Sequence, residues 1–394
     1  MRRIKLYLDN AATTKVSKEV VKEMEKYFTE EYGNPSSLHE LGENANKVLN
    51  KAREVIAKEI GAKAWEIIFT SGGTESDNLA IQGLARAYLK KKKIVVSSIE
   101  HSAVLETCEF LKTSGYEIIK IPVDCGGCVK IDVLHDVLNK HAKDVLVVSI
   151  IHVNNIIGTI QNIEEIGKIC RKKEVLFHTD AVQSFGKLNI DVGKMNIDLL
   201  SASGHKIGGP KGVGCLYVRE GVKISPVIFG GGQERGIRNG TENVPAIIGF
   251  AKALSLSKKI NKENIRKLRD KLIANLEKIG GKINGSKKNR IYNNVHVSFS
   301  GIESDSLVVF LSQRGIYVSA GSACDSKKEK EDHVLRAIGV KDKDVLGSIR
   351  ITLNENLSER DIEFVIKEIK RFPKPSLSHS KLMGYSARFQ DGNL

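Results

Sequence analysis

No run in this 394-residue chain approaches the roughly 20 consecutive apolar residues that a membrane span needs, so no membrane partner is expected. The longest apolar patches, near 145–153 and 246–251, are the size of a strand or a helix face. Residues 1–8 are charged without a long apolar run behind them, so no secretory leader is visible. Six cysteines are too few for a disulfide framework. A zinc spacing is lacking too: His135 and His141 do not make a zinc motif with any nearby acid. Cys125-Gly126-Gly127-Cys128 would need two further donors to hold a metal. It does not open a helix, where such a pair gains acidity, and it reads as a hairpin-like turn with two incidental thiols. Cys108, Cys170 and Cys215 fall in helical or strand patterns and read as packing residues. A reducing, cytoplasmic setting and no metal are the default expectations.

What is present is an ordinary soluble composition, 41% hydrophobic and 28% charged, with length enough for two or three domains. Lysine and arginine number 62 against 47 acids, a net charge of +15. The lysines are scattered through helical stretches without an arginine–aromatic run, so they read as a solvated face rather than a nucleic-acid surface. Strand patterns at 66–70, 93–97, 117–121, 145–151, 175–179, 199–201 and 214–218 alternate with helical patterns at 75–89, 103–113, 130–139 and 163–172. Such alternation, with strands apolar on both faces, predicts an α/β domain with a mainly parallel sheet, over residues 15–250. After Gly249 the texture changes. One long amphipathic helix is expected at 251–279, an alternating strand at 294–300, a helix at 306–314, and strands at 316–318 and 345–353. A helix capped by Ser358 follows at 358–370. These elements predict a smaller α+β domain from 1–14 and 251–372, with 373–394 a disordered or partner-binding tail.

Three segments carry chemistry. Ser71-Gly72-Gly73-Thr74-Glu75-Ser76 lies between a strand and a helix, where glycines, free N–H groups and hydroxyls suit a phosphate. It has neither the P-loop lysine nor a G-x-G-x-x-G pattern, and a simple helix cap is the bland alternative. Asp180, in Phe177-His178-Thr179-Asp180-Ala181-Val182-Gln183, closes an apolar strand, where a carboxylate can meet a protonated ring nitrogen or merely cap a helix. Lys206 follows another strand, in Ser201-Ala202-Ser203-Gly204-His205-Lys206; a lysine shut from water there gains the free amine that Schiff-base chemistry requires. Lys211 is its rival, in a more turn-like setting.

From Tyr7-Leu8-Asp9-Asn10-Ala11-Ala12-Thr13-Thr14 to about Lys370, the chain resembles the NifS/IscS-type cysteine desulfurases, pyridoxal-phosphate enzymes of the class V aminotransferase-like group. The resemblance is carried by Gly33-Asn34-Pro35-Ser36-Ser37-Leu38-His39, Gly73-Thr74-Glu75-Ser76, Glu100-His101, Val153-Asn154-Asn155 and Asp180-Ala181-Val182-Gln183. Ser203-Gly204-His205-Lys206, Arg238-Asn239-Gly240-Thr241 and Ser319-Ala320-Gly321-Ser322-Ala323-Cys324 complete it. It implies an aspartate aminotransferase-like large domain and pyridoxal 5'-phosphate as cofactor. By the same resemblance Lys206 carries the cofactor, His101 stacks on its ring, and Asp180 pairs with the ring nitrogen. Gln183 and Asn155 contact the ring oxygen. Gly73, Thr74, Ser203 and His205 form the phosphate cup, and Thr241 joins it from a second subunit of a homodimer. Arg350, with Asn34 nearby, grips the substrate carboxylate. Cys324 takes sulfur from L-cysteine as a persulfide and passes it to an acceptor protein for iron–sulfur cluster assembly or thiolation. The dense charge after Cys324 suits an exposed loop, in which Lys327 and Lys328 favour the thiolate and Asp325 opposes it.

Two departures stand out. Ile156 follows Asn155 where the family carries an acid, and Thr352-Leu353-Asn354-Glu355 lacks the family's second arginine. They motivate one alternative, a catalytically impaired scaffold; a second, independent of them, is a lyase for selenocysteine or another β-substituted amino acid that would use the same pocket and need Cys324 less.

Overall fold

A computed structural model describes residues 5–320 and 328–373, apart from the side chains of 328–332. The chain enters through β1 (Leu6–Tyr7), which pairs in parallel with β11 (Ile316–Tyr317) near the other end of the sequence. Leu6 and Leu8 thereby join an apolar cluster with Leu272, Val295, Ile349 and Val365.

The larger sheet holds β2 (Ile67–Thr70), β3 (Lys93–Ser97), β4 (Glu117–Ile121), β5 (Val145–Ser149), β6 (Leu176–Asp180), β7 (Leu199–Ser203) and β8 (Gly214–Val218). Its order is β2-β8-β7-β6-β5-β3-β4. Only β8 runs antiparallel to its neighbours, so the sheet is mainly parallel, as the alternating pattern predicts. β5, β7 and β8 are buried at every residue, which their apolar runs require, while edge strand β4 is half exposed. The helices α3 (Gly73–Ala87), α4 (Ser102–Lys112), α5 (Ile131–His141) and α6 (Ile163–Lys172) connect these strands.

The smaller sheet is antiparallel, ordered β12 (Ser319–Ala320), β13 (Ser348–Thr352), β10 (Asn294–Ser298), β9 (Lys282–Ile283). It packs with α8 (Lys262–Lys278), α9 (Ser304–Ser312) and α12 (Glu359–Arg371), the last capped by Ser358, whose Oγ accepts from the Asp361 N–H.

Three expectations need correction. The single helix expected at 251–279 is two helices, α7 (Val244–Ser257), which ends at its C-cap Lys258, and α8, which Asn261 caps by accepting from the Asn264 N–H at 3.0 Å. α7 is apolar nearly all round because it packs against α1 (Lys18–Thr29) and α2 (Glu40–Glu59), two helices the sequence reading passes over. β10 does not alternate: all five of its residues are buried. The strand expected at 345–353 begins only at Ser348, after the short helix α11 (Asp342–Val345). The expected tail, 374–394, lies outside the described residues.

Candidate active site

Parallel strands bring their carboxyl ends to one edge of the sheet, and the functional side chains collect there. Asp180 ends β6 and Ser203 ends β7; the turn after β2 starts α3 at Gly73, and the turn after β3 starts α4 beyond His101. A cavity of about 240 Å³ at this edge is lined by Gly73, Thr74, His101, Asn155, Asp180, Gln183, Ser203, His205 and Lys206, together with Asp77, Ile151 and Val182. The first nine were candidates from the sequence. The last three were not: Asp77 sits beside a recognised motif and Val182 within one, neither with a pattern of its own, and Ile151 reads as strand.

The phosphate-like cup is built from backbone. The Ser76 N–H bonds to Gly72 O at 3.0 Å, so the N–H groups of Gly73, Thr74 and Glu75 precede the first intrahelical bond of α3. Ser203 Oγ is buried with no hydrogen-bond partner and lies 3.9 Å from where a side chain on Gly72 would begin. An orphaned hydroxyl beside a row of free N–H groups fits an oxyanion. β8 makes room for the turn: a Cβ on Gly214 would stand 2.7 Å from Gly72 Cα.

Asp180 forms the floor. It is 3% exposed, and its Oδ1 accepts from the Val182 N–H at 2.9 Å. Desolvation raises its pKa, while His101 and Lys206 oppose that rise. His101 caps α4: its Nδ1 accepts from the Ala103 N–H at 3.1 Å, so the neutral ring carries its proton on Nε2. Burial lowers its pKa, keeping it neutral. Gln183 is held at both ends of its amide, donating to Ala11 O at 2.9 Å and accepting from Lys187 Nζ at 3.2 Å.

Lys206 sits in a single 3₁₀ turn, Gly204–Lys206, after β7. Its Nζ donates to Ala11 O at 2.8 Å and Ala12 O at 2.7 Å. Desolvation, then the nearby Arg350 charge, pull its pKa down to about 8. The segment from Asp9 to Thr14 is strapped over this turn: Thr14 Oγ1 donates to His205 O at 2.8 Å and Thr13 Oγ1 meets His205 Nδ1 at 3.1 Å.

The remaining candidates lie apart. Arg350 is at the cavity's edge rather than on its wall, donating to Asn155 O at 3.2 Å and paired with Asp9 at 2.9 Å. Asn34 is exposed and accepts from the Ser36 N–H. Thr241 is exposed, on a loop tied to the cup through Arg238, whose Nε is 2.7 Å from Glu75. Cys324 lies outside the described residues. The two departures have structural answers. Ile156 is buried in the main apolar core and does not line the cavity. Thr352 Oγ1 accepts from the Ala11 N–H at 3.0 Å, and Asn354 Nδ2 donates to Tyr7 O at 3.2 Å, so this stretch anchors the strap.

The family model for aminotransferase class-V matches residues 6–365. A cysteine desulfurase IscS from Methanosarcina thermophila is 48% identical over 369 residues, spanning 92% of this chain and 91% of that protein. One from Dictyoglomus turgidum is 46% identical, spanning 93% and 94%. Among solved structures, a NifS-like protein superposes with a TM-score of 0.88 at 40% identity, covering 93% of this chain and 99% of its own. SspA in complex with cysteine superposes with a TM-score of 0.80 at 37% identity, covering 89% and 99%.

Proposed function

Because the chain belongs to the class-V aminotransferases and, within them, to the NifS/IscS-type cysteine desulfurases, we propose roles for the individual residues of its cavity. The protein is a pyridoxal-phosphate enzyme that takes sulfur from cysteine as a persulfide for transfer and iron–sulfur cluster assembly. The observation that carries the assignment is one amine, Lys206 Nζ, lining the same cavity as Asp180, His101 and the cup at the start of α3.

Pyridoxal phosphate, when bound, supplies an aldehyde for amines and a ring that accepts electrons from the substrate's α-carbon. Gly73, Thr74, Ser203 and His205 hold its phosphate, which ties up the orphaned Ser203 hydroxyl. Asp180 keeps the ring nitrogen protonated. Gln183, fixed by Ala11 and Lys187, presents its amide to the ring's edge beside Asn155. His101 covers the ring and holds a transferable proton on Nε2. Lys206, whose amine is about half free near pH 8, bears the cofactor at rest. With its amine free, Lys206 Nζ would carry the substrate's α-proton. Arg350 turns from Asp9 to the substrate carboxylate. Cys324, as thiolate, takes the sulfur: an S–S bond forms as the substrate's C–S bond breaks, and alanine leaves after a proton returns to carbon. A homodimer brings Thr241 of a second subunit to the phosphate, and an acceptor protein collects the sulfur. No described helix is long and apolar enough to cross a membrane; a cytoplasmic location suits a free persulfide.

The test is alanine release from L-cysteine, with mass spectrometry of the peptide containing Cys324. One added sulfur on that peptide is expected, lost in Cys324→Ala and in Lys206→Ala. Alanine release retained in Cys324→Ala would favour the lyase reading. A Lys206→Ala protein with unchanged visible absorbance after cofactor addition would favour the scaffold.

A further inference from the structure

Behind Asp180 stands a second buried acid that the reaction scheme leaves unused. Asp77, on the first turns of α3, is 1% exposed. One of its carboxylate oxygens lies within 4.8 Å of the Asp180 carboxylate and of a His101 ring nitrogen. Its Oδ1 has no hydrogen-bond partner.

The groups around Asp77 offer it no cation. His178 Nε2 is 3.7 Å from Oδ1. Both nitrogens of that imidazole are engaged by serine hydroxyls, Ser149 at 2.8 Å and Ser201 at 3.0 Å, and burial lowers its pKa to about 3. The other ionisable groups acting on Asp77 are acids, Asp180 and Glu100. Ser201 gives the one hydrogen bond that favours its charge. Asp180 is better provided, with the Val182 N–H on its Oδ1 and with Lys206 and His101 favouring its anion. Two carboxylates this close in a site shut from water do not both ionise. The anion therefore belongs on Asp180 and the proton on Asp77. Glu100 is also neutral at pH 7, because burial raises its pKa to about 8.

We propose that Asp77 keeps its proton in the working enzyme and acts as a positioning residue, leaving Asp180 the single buried anion that faces the cofactor ring. The proposal rests on the assignment of Asp180 to the ring nitrogen. Replacing Asp77 by an amide should then change little, because asparagine copies the shape of the neutral acid.

Infrared spectra of the cofactor-free protein in heavy water test the proton directly. The carbonyl band of protonated carboxyl groups should weaken in Asp77→Asn and, separately, in Glu100→Gln. In the loaded enzyme, the pH dependence of the visible band in Asp77→Asn should follow that of wild type, because the anion under the ring stays on Asp180. Asp180→Asn should abolish turnover. An infrared band unchanged by Asp77→Asn would overturn the proposal, as would a visible band displaced as far as in Asp180→Asn. Should Asp77→Asn fail to fold, carboxyl carbon NMR of the wild-type protein decides: one aspartate staying protonated through neutral pH supports the proposal, and complete ionisation overturns it. An Asp180→Asn enzyme with wild-type spectrum and turnover would remove the ring-nitrogen assignment, and this role of Asp77 with it, whatever the infrared band reports about the proton.

Discussion

The amine of Lys206 is useful because its surroundings make its charge costly. Desolvation comes first and the Arg350 charge second, and together they bring its pKa to about 8. Only the free amine attaches the cofactor, so the rate of cofactor attachment should rise about tenfold per pH unit below that value and level off above it. Following the visible band after adding pyridoxal phosphate at a series of pH values checks this; a flat profile from pH 6 to 9 would contradict it. Lys187 is a quieter case. It is 7% exposed, touches Gln183, and is pulled down to about 7 by burial and by Lys206. Its folded pKa is depressed, so between about 7 and 10.4 the unfolded chain binds the extra proton and stability rises with pH, by at most about 1.4 kcal/mol per unit. Lys187→Met removes that slope. Its stability relative to wild type should therefore be best near pH 6 and worsen toward pH 9.5 in chemical denaturation, whereas parallel curves would show that Lys187 does not titrate there. Lys206 was legible in the sequence because its loop of small residues follows a strand. Lys187 was not, since nothing in Ser184-Phe185-Gly186-Lys187 says that the amine turns inward.

At the scale of the element, the cavity depends on how β8 joins the sheet. β8 is the one antiparallel strand of the seven, and its first residue, Gly214, sits opposite both Thr70 and Ser203 at the functional edge. A Cβ there would stand 2.5 Å from Ala202 O and 2.7 Å from Gly72 Cα, both backbone atoms that cannot swing aside. Gly214→Ala should cost about 1–3 kcal/mol in stability through overpacking. It should also weaken pyridoxal-phosphate binding more than it weakens pyridoxal binding, because the Gly72 turn carries the cup proposed for the phosphate; equal losses for the two ligands would refute the link. The sequence marks β8 as a strand but not its direction, since an apolar run reads the same both ways. The helix boundary at Asn261 was missed for a related reason: lysine-rich periodicity continues across it, and only the cap breaks the chain's path. Exact agreement came at β3, β4 and β8. Helix α10 (Lys328–Ala337) reaches the residue before His101: His333 Nε2 lies 3.2 Å from Glu100 O. That contact joins two stretches far apart in sequence, which no local pattern announces.

At the scale of the whole molecule, one chain supplies most of the cavity wall and leaves Thr241 outside it. Thr241 belongs to a loop whose other arm exposes Ile228 and Phe229, the two arms being tied by Asn239, which donates to Ile228 O at 2.9 Å and accepts from the Gly232 N–H at 2.7 Å. Exposed Leu38, in the segment carrying Asn34, adds apolar surface of the kind that subunits cover. Dimerisation and cofactor retention should therefore fail together in Phe229→Asp, which puts a charge on that surface, and come apart in Thr241→Ala. Sedimentation should find Phe229→Asp largely monomeric at micromolar concentration and poor at holding pyridoxal phosphate. Thr241→Ala should remain a dimer and lose about tenfold or more in cofactor affinity, the worth of one hydrogen bond to a charged phosphate. If Phe229→Asp monomers bind the cofactor as tightly as the dimer, each chain holds the phosphate unaided and the exposed position of Thr241 has no part in the site.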